Sequence, residues 1–252
     1  MKRITFINPD YEYLRGVIEG IPDNFKWMGA TIKSGRNEVK YFNTLGMTLV
    51  IKSFHKITFA NRVIYALFRK PKSQRSYENS ERLINSGISA PIPLAYISLY
   101  GTFMLKKDFY VSLYLDYMHV NTLLSLPHHQ SEIALRAFAN FSYELHSNGI
   151  FHGDYNLKNI LYSFNGFNYR FSLIDNNRIR FGKYNPSKGL RNLQRLQLPV
   201  ENLAVICSEY SRQSNVNEIK TILGMSIFRF QYLTFNALRR KLKRIAKTAG
   251  IL

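Results

Sequence analysis

Three oxygen-bearing side chains in one stretch carry the chemistry that this sequence offers: Asp154, Asn159 and Asp175. Asp154 follows the pair His152-Gly153, and Asn159 comes shortly after it. A strand-like run over 160–162 leads to the turn dipeptide Asn165-Gly166, and a second run over 171–174 ends on Asp175. Asn-Gly between two apolar runs is the strongest short-range hairpin signal. A hairpin there carries the chain out and back, which predicts that Asn159 and Asp175 stand at the same end of it. Two oxygen ligands beside a further carboxylate are what phosphoryl transfer from a magnesium-bound nucleotide requires.

Several elements must position these groups. Residues 131–148 are predicted to form a helix: Ala134, Phe138, Phe141 and Leu145 recur at three- and four-residue spacing, Ser131 is placed to cap the start, and Gly149 ends it. His152 and Asp154 then lie in a loop just beyond a buried helix, a rigid mount for chemistry. His152 reads as a brace for that loop, and His119, His128 and His129 as loop residues without metal-ligand spacing. Upstream, 47–54 is a compact strand in which Lys52 shares a face with Val50 and Phe54. Alone, Lys52 would be an edge-strand gatekeeper; with the downstream constellation it reads as a point charge for phosphate. A helix over 76–86, closed by Gly87, carries Glu78 and Glu81 close to one face, and either is placed to pair with Lys52. The turn 34–37 around Gly35 fits both a cover over nucleotide phosphates and an ordinary hairpin turn.

The remaining pattern divides the chain. Residues 11–21 suggest a short edge element, 30–45 two strands, and 94–99, 103–105 and 109–115 further strands, with Lys106-Lys107-Asp108 as a turn. The strand pattern stops at Asp116-Tyr117-Met118. We therefore expect an α+β chain with a β-rich N-terminal lobe over 1–115 and a mainly helical lobe over 116–252. The hinge between them, at Asp116 and Met118, would offer backbone groups to an adenine edge. Helical segments are expected over 190–198, 200–212 and 215–232.

The chain has 252 residues, enough to bury a sizeable core, and a net charge of +19. Such a field attracts polyanions: nucleic acid, anionic lipid or phosphorylated substrates. No zinc-finger or RNA-binding strand motif supports a specific nucleic-acid partner. The single cysteine, Cys207, excludes an internal disulfide and sits in an apolar run as an inert thiol. No signal peptide is visible, and no uninterrupted apolar run approaches the roughly 18 residues that span a bilayer. A cytoplasmic protein is expected. Over 235–247, Arg239, Arg240, Lys241, Lys243, Arg244 and Lys247 surround Leu238, Leu242 and Ile245 as a basic amphipathic helix. It suits acidic lipid head groups and, equally, a docked helix with a solvated basic face.

His152-Gly153-Asp154, then Asn159, then Leu173-Ile174-Asp175 resembles the catalytic loop and metal-binding aspartate of the protein-kinase-like superfamily. Val50-Ile51-Lys52 resembles the strand that supplies its phosphate lysine, with Glu78 or Glu81 as the helical partner. The resemblance implies a bilobal kinase fold, ATP and Mg²⁺ as cofactors, Asp154 as catalytic residue, Asn159 and Asp175 as metal ligands, and Lys52 on the α- and β-phosphates. The departures narrow it. Gly153 replaces the arginine of regulated protein kinases, Asn156 replaces a lysine, Asn176-Asn177 follows Asp175 in place of Phe-Gly, and no Ala-Pro-Glu segment appears. This looks like the small bacterial kinases of sugars and antibiotics. Gly35-Arg36-Asn37-Glu38-Val39, Val50-Ile51-Lys52-Ser53-Phe54, Arg75-Ser76-Tyr77-Glu78-Asn79, Gly87-Ile88-Ser89-Ala90-Pro91 and Ile174-Asp175-Asn176-Asn177-Arg178 are together similar to the bacterial lipopolysaccharide core kinase family, over 30–181. That resemblance implies an acceptor hydroxyl on Kdo or heptose, or another anionic sugar, and a place at the inner face of the inner membrane. The basic charge suits such a substrate independently. An aminoglycoside-like small-molecule phosphotransferase and a catalytically weak nucleotide-binding scaffold are the alternatives.

Overall fold

The computed structural model describes residues 2–55 and 58–248. The chain divides into two compact units, Met1–Tyr117 with Ser172–Arg178, and Met118–Phe171 with Ile179–Leu252. The segment 172–178, which carries Asp175, thus counts with the N-terminal residues.

The first unit is built on a six-stranded sheet in the order β1-β5-β6-β4-β3-β2. Its strands are β1 (Lys2–Ile7), β2 (Ala30–Lys33), β3 (Glu38–Thr44), β4 (Met47–Ser53), β5 (Pro93–Tyr100) and β6 (Leu105–Leu113), and each adjacent pair runs antiparallel. Strand side chains alternate between faces, so each face acquires its own core. On one, Leu49, Ile51, Ile97, Leu99, Phe109 and Val111 pack against Leu14, Ile18 and Ile21 from the short turn Pro9–Leu14 and helix α1 (Arg15–Asn24). On the other, Phe54, Leu105 and Tyr110 pack with Tyr65 and Tyr77, contributed by α2 (Phe59–Leu67) and α3 (Lys72–Asn85).

Two expectations fail here. Residues 11–21 are a turn and a helix packed on the sheet face, not a short edge element, because Leu14, Ile18 and Ile21 recur at helical spacing and all bury. The Lys106-Lys107-Asp108 triplet is no turn but lies inside β6, with Asp108 fully buried. Its carboxylate accepts hydrogen bonds from the Ser73 amide (3.1 Å), the Ser73 hydroxyl and the Ser98 hydroxyl (2.9 Å). Desolvation pushes its pKa up, and the serine donors oppose that shift. Asp108 thereby ties the start of α3 to the middle of the sheet.

The second unit is mainly helical. It comprises β7 (Met118–His119), α4 (His128–Ser147), β8 (Ile150–His152), β9 (Ile160–Phe164), most of β10 (Tyr169–Leu173), β11 (Ile179–Phe181), α5 (Pro186–Leu193), α6 (Val200–Ser214) and α7 (Glu218–Thr248). Helix α4 buries Ala134, Leu135, Phe138, Ala139, Phe141 and Leu145. It begins at His128, not at Ser131, whose amide already donates to the Pro127 carbonyl. Gly149 ends it with φ +70°, and a Cβ there would lie 2.1 Å from the Gly182 carbonyl oxygen, so no other residue fits. The Asn165-Gly166 turn joins β9 to β10, with Asn165 Oδ1 accepting from the amides of Phe167 and Asn168. The helices expected over 215–232 and 235–247 are one continuous helix, α7, which no proline interrupts and which runs through Gly224. The side chain of Lys247 lies outside the described residues. Cys207 is buried, and desolvation pushes its thiol up to about 12. Among the described residues no helix is long and apolar enough to cross a membrane.

Candidate active site

In the first unit, Lys52 stands on β4 opposite Val39 and Tyr110, on the strand face expected from Val50 and Phe54. Its ammonium donates to Asp175 Oδ1 at 2.5 Å. Burial lowers the lysine pKa and the Asp175 charge opposes that shift. The same Asp175 oxygen accepts from Asn177 Nδ2. Asp175 has φ +61°, a left-handed conformation in which aspartate is enriched among non-glycine residues.

The turn after Asp175 is held by α3. Arg75 Nη1 donates to the Asn177 carbonyl (2.8 Å), Asn79 Nδ2 donates to the Asn176 carbonyl (2.6 Å), and Asn176 Nδ2 donates to Ser80 Oγ (3.0 Å). The motif Arg75 to Asn79 therefore serves as a latch on the Asp175 segment. The expected glutamate partner of Lys52 is not found there. Glu78 instead holds Lys70 at 2.7 Å and accepts from Gln74 at 3.0 Å, and Glu81 lies beside the Tyr77 hydroxyl. The helix turns these two glutamates away from Lys52 and presents Arg75, Asn79 and Ser80 to the Asp175 turn. Gly35 lies in the exposed turn between β2 and β3 with φ +152°. Asp116 is exposed at the end of this unit.

In the second unit, Asp154 follows β8 and is partly exposed. Its amide donates to His152 Nδ1 (3.1 Å), so the buried His152 ring braces the loop. The Asp154 carbonyl accepts from Asn156 Nδ2 (3.0 Å) and Asn159 Nδ2 (2.9 Å). Asn159 thus spends its amide nitrogen on the loop, leaving oxygen as the atom with which its side chain would meet a cation. Met118, exposed on β7, has its sulfur 3.9 Å from the Tyr162 hydroxyl.

Three residues that the sequence did not single out complete this loop. Arg195 Nη1 donates to the Gly153 carbonyl at 2.5 Å and lies 3.9 Å from Asp154 Oδ1. A cation therefore does reach this loop, from the turn just after α5, in place of the missing loop arginine. Asn192 donates to the His152 carbonyl (2.8 Å) and accepts from the His152 amide (3.3 Å). His146, fully buried on α4, contacts Asn192 Oδ1 through Nε2 (3.1 Å) and Tyr210 through Nδ1 (3.0 Å). No local pattern marks these contacts, since each joins residues far apart in the chain.

Residues 33–215, most of the chain, match the family described as "Lipopolysaccharide kinase (Kdo/WaaP) family". The chain belongs to that family. It is accordingly a kinase, a phosphotransferase of the lipopolysaccharide-kinase type. The fold agrees. The solved structure described as "WaaP in complex with acyl carrier protein" matches with a TM-score of 0.61 at 14% identity, covering 92% of this chain and 99% of that one. An APH(2")-IIa ternary complex with streptomycin and ATP matches with a TM-score of 0.53 at 13% identity, covering 98% and 95%. At these identities the likeness extends to the fold, a kinase-like α+β architecture with an antiparallel N-terminal sheet and a helical remainder. No curated protein sequence matches the chain.

Among the described residues no cluster of three or more His, Cys, Asp or Glu side chains is arranged to hold a metal. Magnesium in phosphoryl transfer keeps several waters and binds one or two protein oxygens plus the substrate phosphates. The donor types at Asp175 and Asn159 fit it.

Proposed function

We propose that this kinase transfers the γ-phosphoryl group of ATP to a sugar hydroxyl of the lipopolysaccharide inner core, on Kdo or heptose. The observation that carries the reading is the Lys52–Asp175 ion pair, latched by α3 through Arg75 and Asn79, in a chain of this family. Lys52 would neutralise the α- and β-phosphates. Asp175 and Asn159 would hold Mg²⁺, which when bound neutralises charge developing on the phosphates. Asp154 would orient the acceptor hydroxyl and take its proton as the O–P bond to the acceptor forms and the bond to the leaving ADP oxygen breaks. Arg195, beside Asp154, would hold the loop. Gly35 would lie over the phosphates, and Asp116 and Met118 would meet the adenine edge.

The acceptor is borne on lipid, and the chain carries a net charge of +19. We place the enzyme at the inner face of the inner membrane, as a peripheral protein, on the strength of α7. This helix has a single acid, Glu218, and exposes Phe235, Leu238, Leu242 and Ile245 beside Arg239, Arg240, Lys241, Lys243 and Arg244. That is the composition of an interfacial helix on anionic lipid. The basic chain disfavours the aminoglycoside-like alternative, whose acceptors are cationic.

The test is transfer of label from γ-labelled ATP and Mg²⁺ to a panel of acceptors. Label is expected on Kdo-bearing or heptose-bearing lipid A. Transfer to a soluble aminoglycoside, with none to the lipid-borne sugars, would overturn the acceptor assignment.

A further inference from the structure

Lys72 opens helix α3 and is 9% exposed. Its ammonium lies 5.4 Å from the centre of the Phe54 ring, and the Lys52 ammonium lies 5.2 Å from the same ring. A buried and a half-buried lysine from different elements thus converge on one aromatic side chain. Lys52 has Asp175 as its partner; the Lys72 ammonium makes no hydrogen bond or ion pair among the described residues. The charged groups that act on it are Arg36 from the β2–β3 turn, Asp108 from β6, and Arg178 and Asp175 from the segment after β10. Asp108 is already committed to Ser73 and Ser98, and Asp175 to Lys52 and Asn177. The free amide at the helix start is likewise spent, since Ser73 donates to Asp108.

A desolvated ammonium without an ion-pair partner is unfavourable; Asp108 and Asp175 offset this in part, and the Arg36 and Arg178 guanidinium groups oppose them. Burial and the Arg36 charge lower the Lys72 pKa to about 8. Groups of this kind persist where an anion completes the site. We propose that Lys72 is a second phosphate-binding cation, which together with Lys52, Arg36 and Arg178 receives the polyphosphate of a nucleoside triphosphate. The inference rests on the phosphotransfer reading and adds to it a ligand group from the start of α3. In this chain the helix then contributes a cation to the phosphates, and its glutamates serve elsewhere.

Nucleotide binding by titration calorimetry, with Mg-ATP, Mg-ADP and AMP, tests this on the full chain and needs no turnover. Lys72→Met is expected to weaken ATP and ADP by about tenfold or more, the loss of one charge-assisted contact, and AMP by much less. Lys72→Arg is expected to recover part of the loss. Without nucleotide, the melting temperature of Lys72→Met should equal or exceed that of the wild type, because an uncompensated buried charge has been removed. Wild-type affinity for ATP in Lys72→Met would overturn the proposal. So would an equal loss for all three nucleotides with a lowered melting temperature, which marks a packing role. A wild-type protein that binds no nucleotide would overturn the phosphotransfer reading and this proposal with it.

Discussion

His146 links the helical unit's stability to the loop that carries Asp154, and it does so with a pH signature. The ring is fully buried, stacked 5.5 Å from Phe151, and hydrogen-bonded to Tyr210 and Asn192. Asn192 in turn holds both backbone groups of His152. Burial pushes the imidazole down from 6.5 to about 4, with the Asn192 contact opposing the shift. The folded protein therefore keeps the ring neutral while the unfolded chain protonates it below 6.5. Its contribution to stability is complete above that pH and is lost as pH falls toward 4. The gap is worth about 3 kcal/mol at most, and about 2 kcal/mol is lost by pH 5. Other groups titrate in this range, so the informative quantity is a difference. Urea unfolding of the wild type and of His146→Gln, at pH 7.5 and pH 5, isolates it. The stability advantage of the wild type should shrink by about 2 kcal/mol between the two. Parallel pH dependence in both proteins would refute a buried neutral His146.

The α3 latch predicts a kinetic defect without collapse. Asn79→Ala or Arg75→Ala should each cost about 1 kcal/mol of stability yet reduce kcat by about tenfold, since the Asp175 turn loses its tether; unchanged kcat would show that Asp175 is held without α3. Deleting residues 235–252 should weaken binding to vesicles containing anionic phospholipid while sparing those of neutral lipid. Equal binding before and after deletion would make the end of α7 a structural helix only.

The features that could be read from sequence were those fixed by local period or local turn chemistry. The face of Lys52 followed from strand alternation with Val50 and Phe54. The helix before the catalytic loop followed from Ala134, Phe138, Phe141 and Leu145, and the β9–β10 turn from Asn165-Gly166. What was not legible depended on partners distant in the chain. Lys106-Lys107-Asp108 has the composition of a turn, and only Ser73 and Ser98, brought beside β6 by α3 and β5, make a buried Asp108 tolerable. Glu78 and Glu81 shared a helix face, but spacing alone cannot say which element that face meets; Lys70 took Glu78. Lys72 at a helix start has the signature of a solvated residue, and its burial comes from the sheet beneath it. Asn192 reaches the Asp154 loop from α5 and Arg195 from the turn after it, where the sequence offered no motif.

The most direct test of the central claim compares the wild type with Asp154→Ala in label transfer from γ-labelled ATP to Kdo-bearing and heptose-bearing lipid A, with nucleotide affinity measured in parallel. Transfer by the wild type is expected, with a loss of turnover of about a thousandfold or more in the variant and nucleotide affinity in the variant close to that of the wild type. Turnover that survives in Asp154→Ala would contradict the claim.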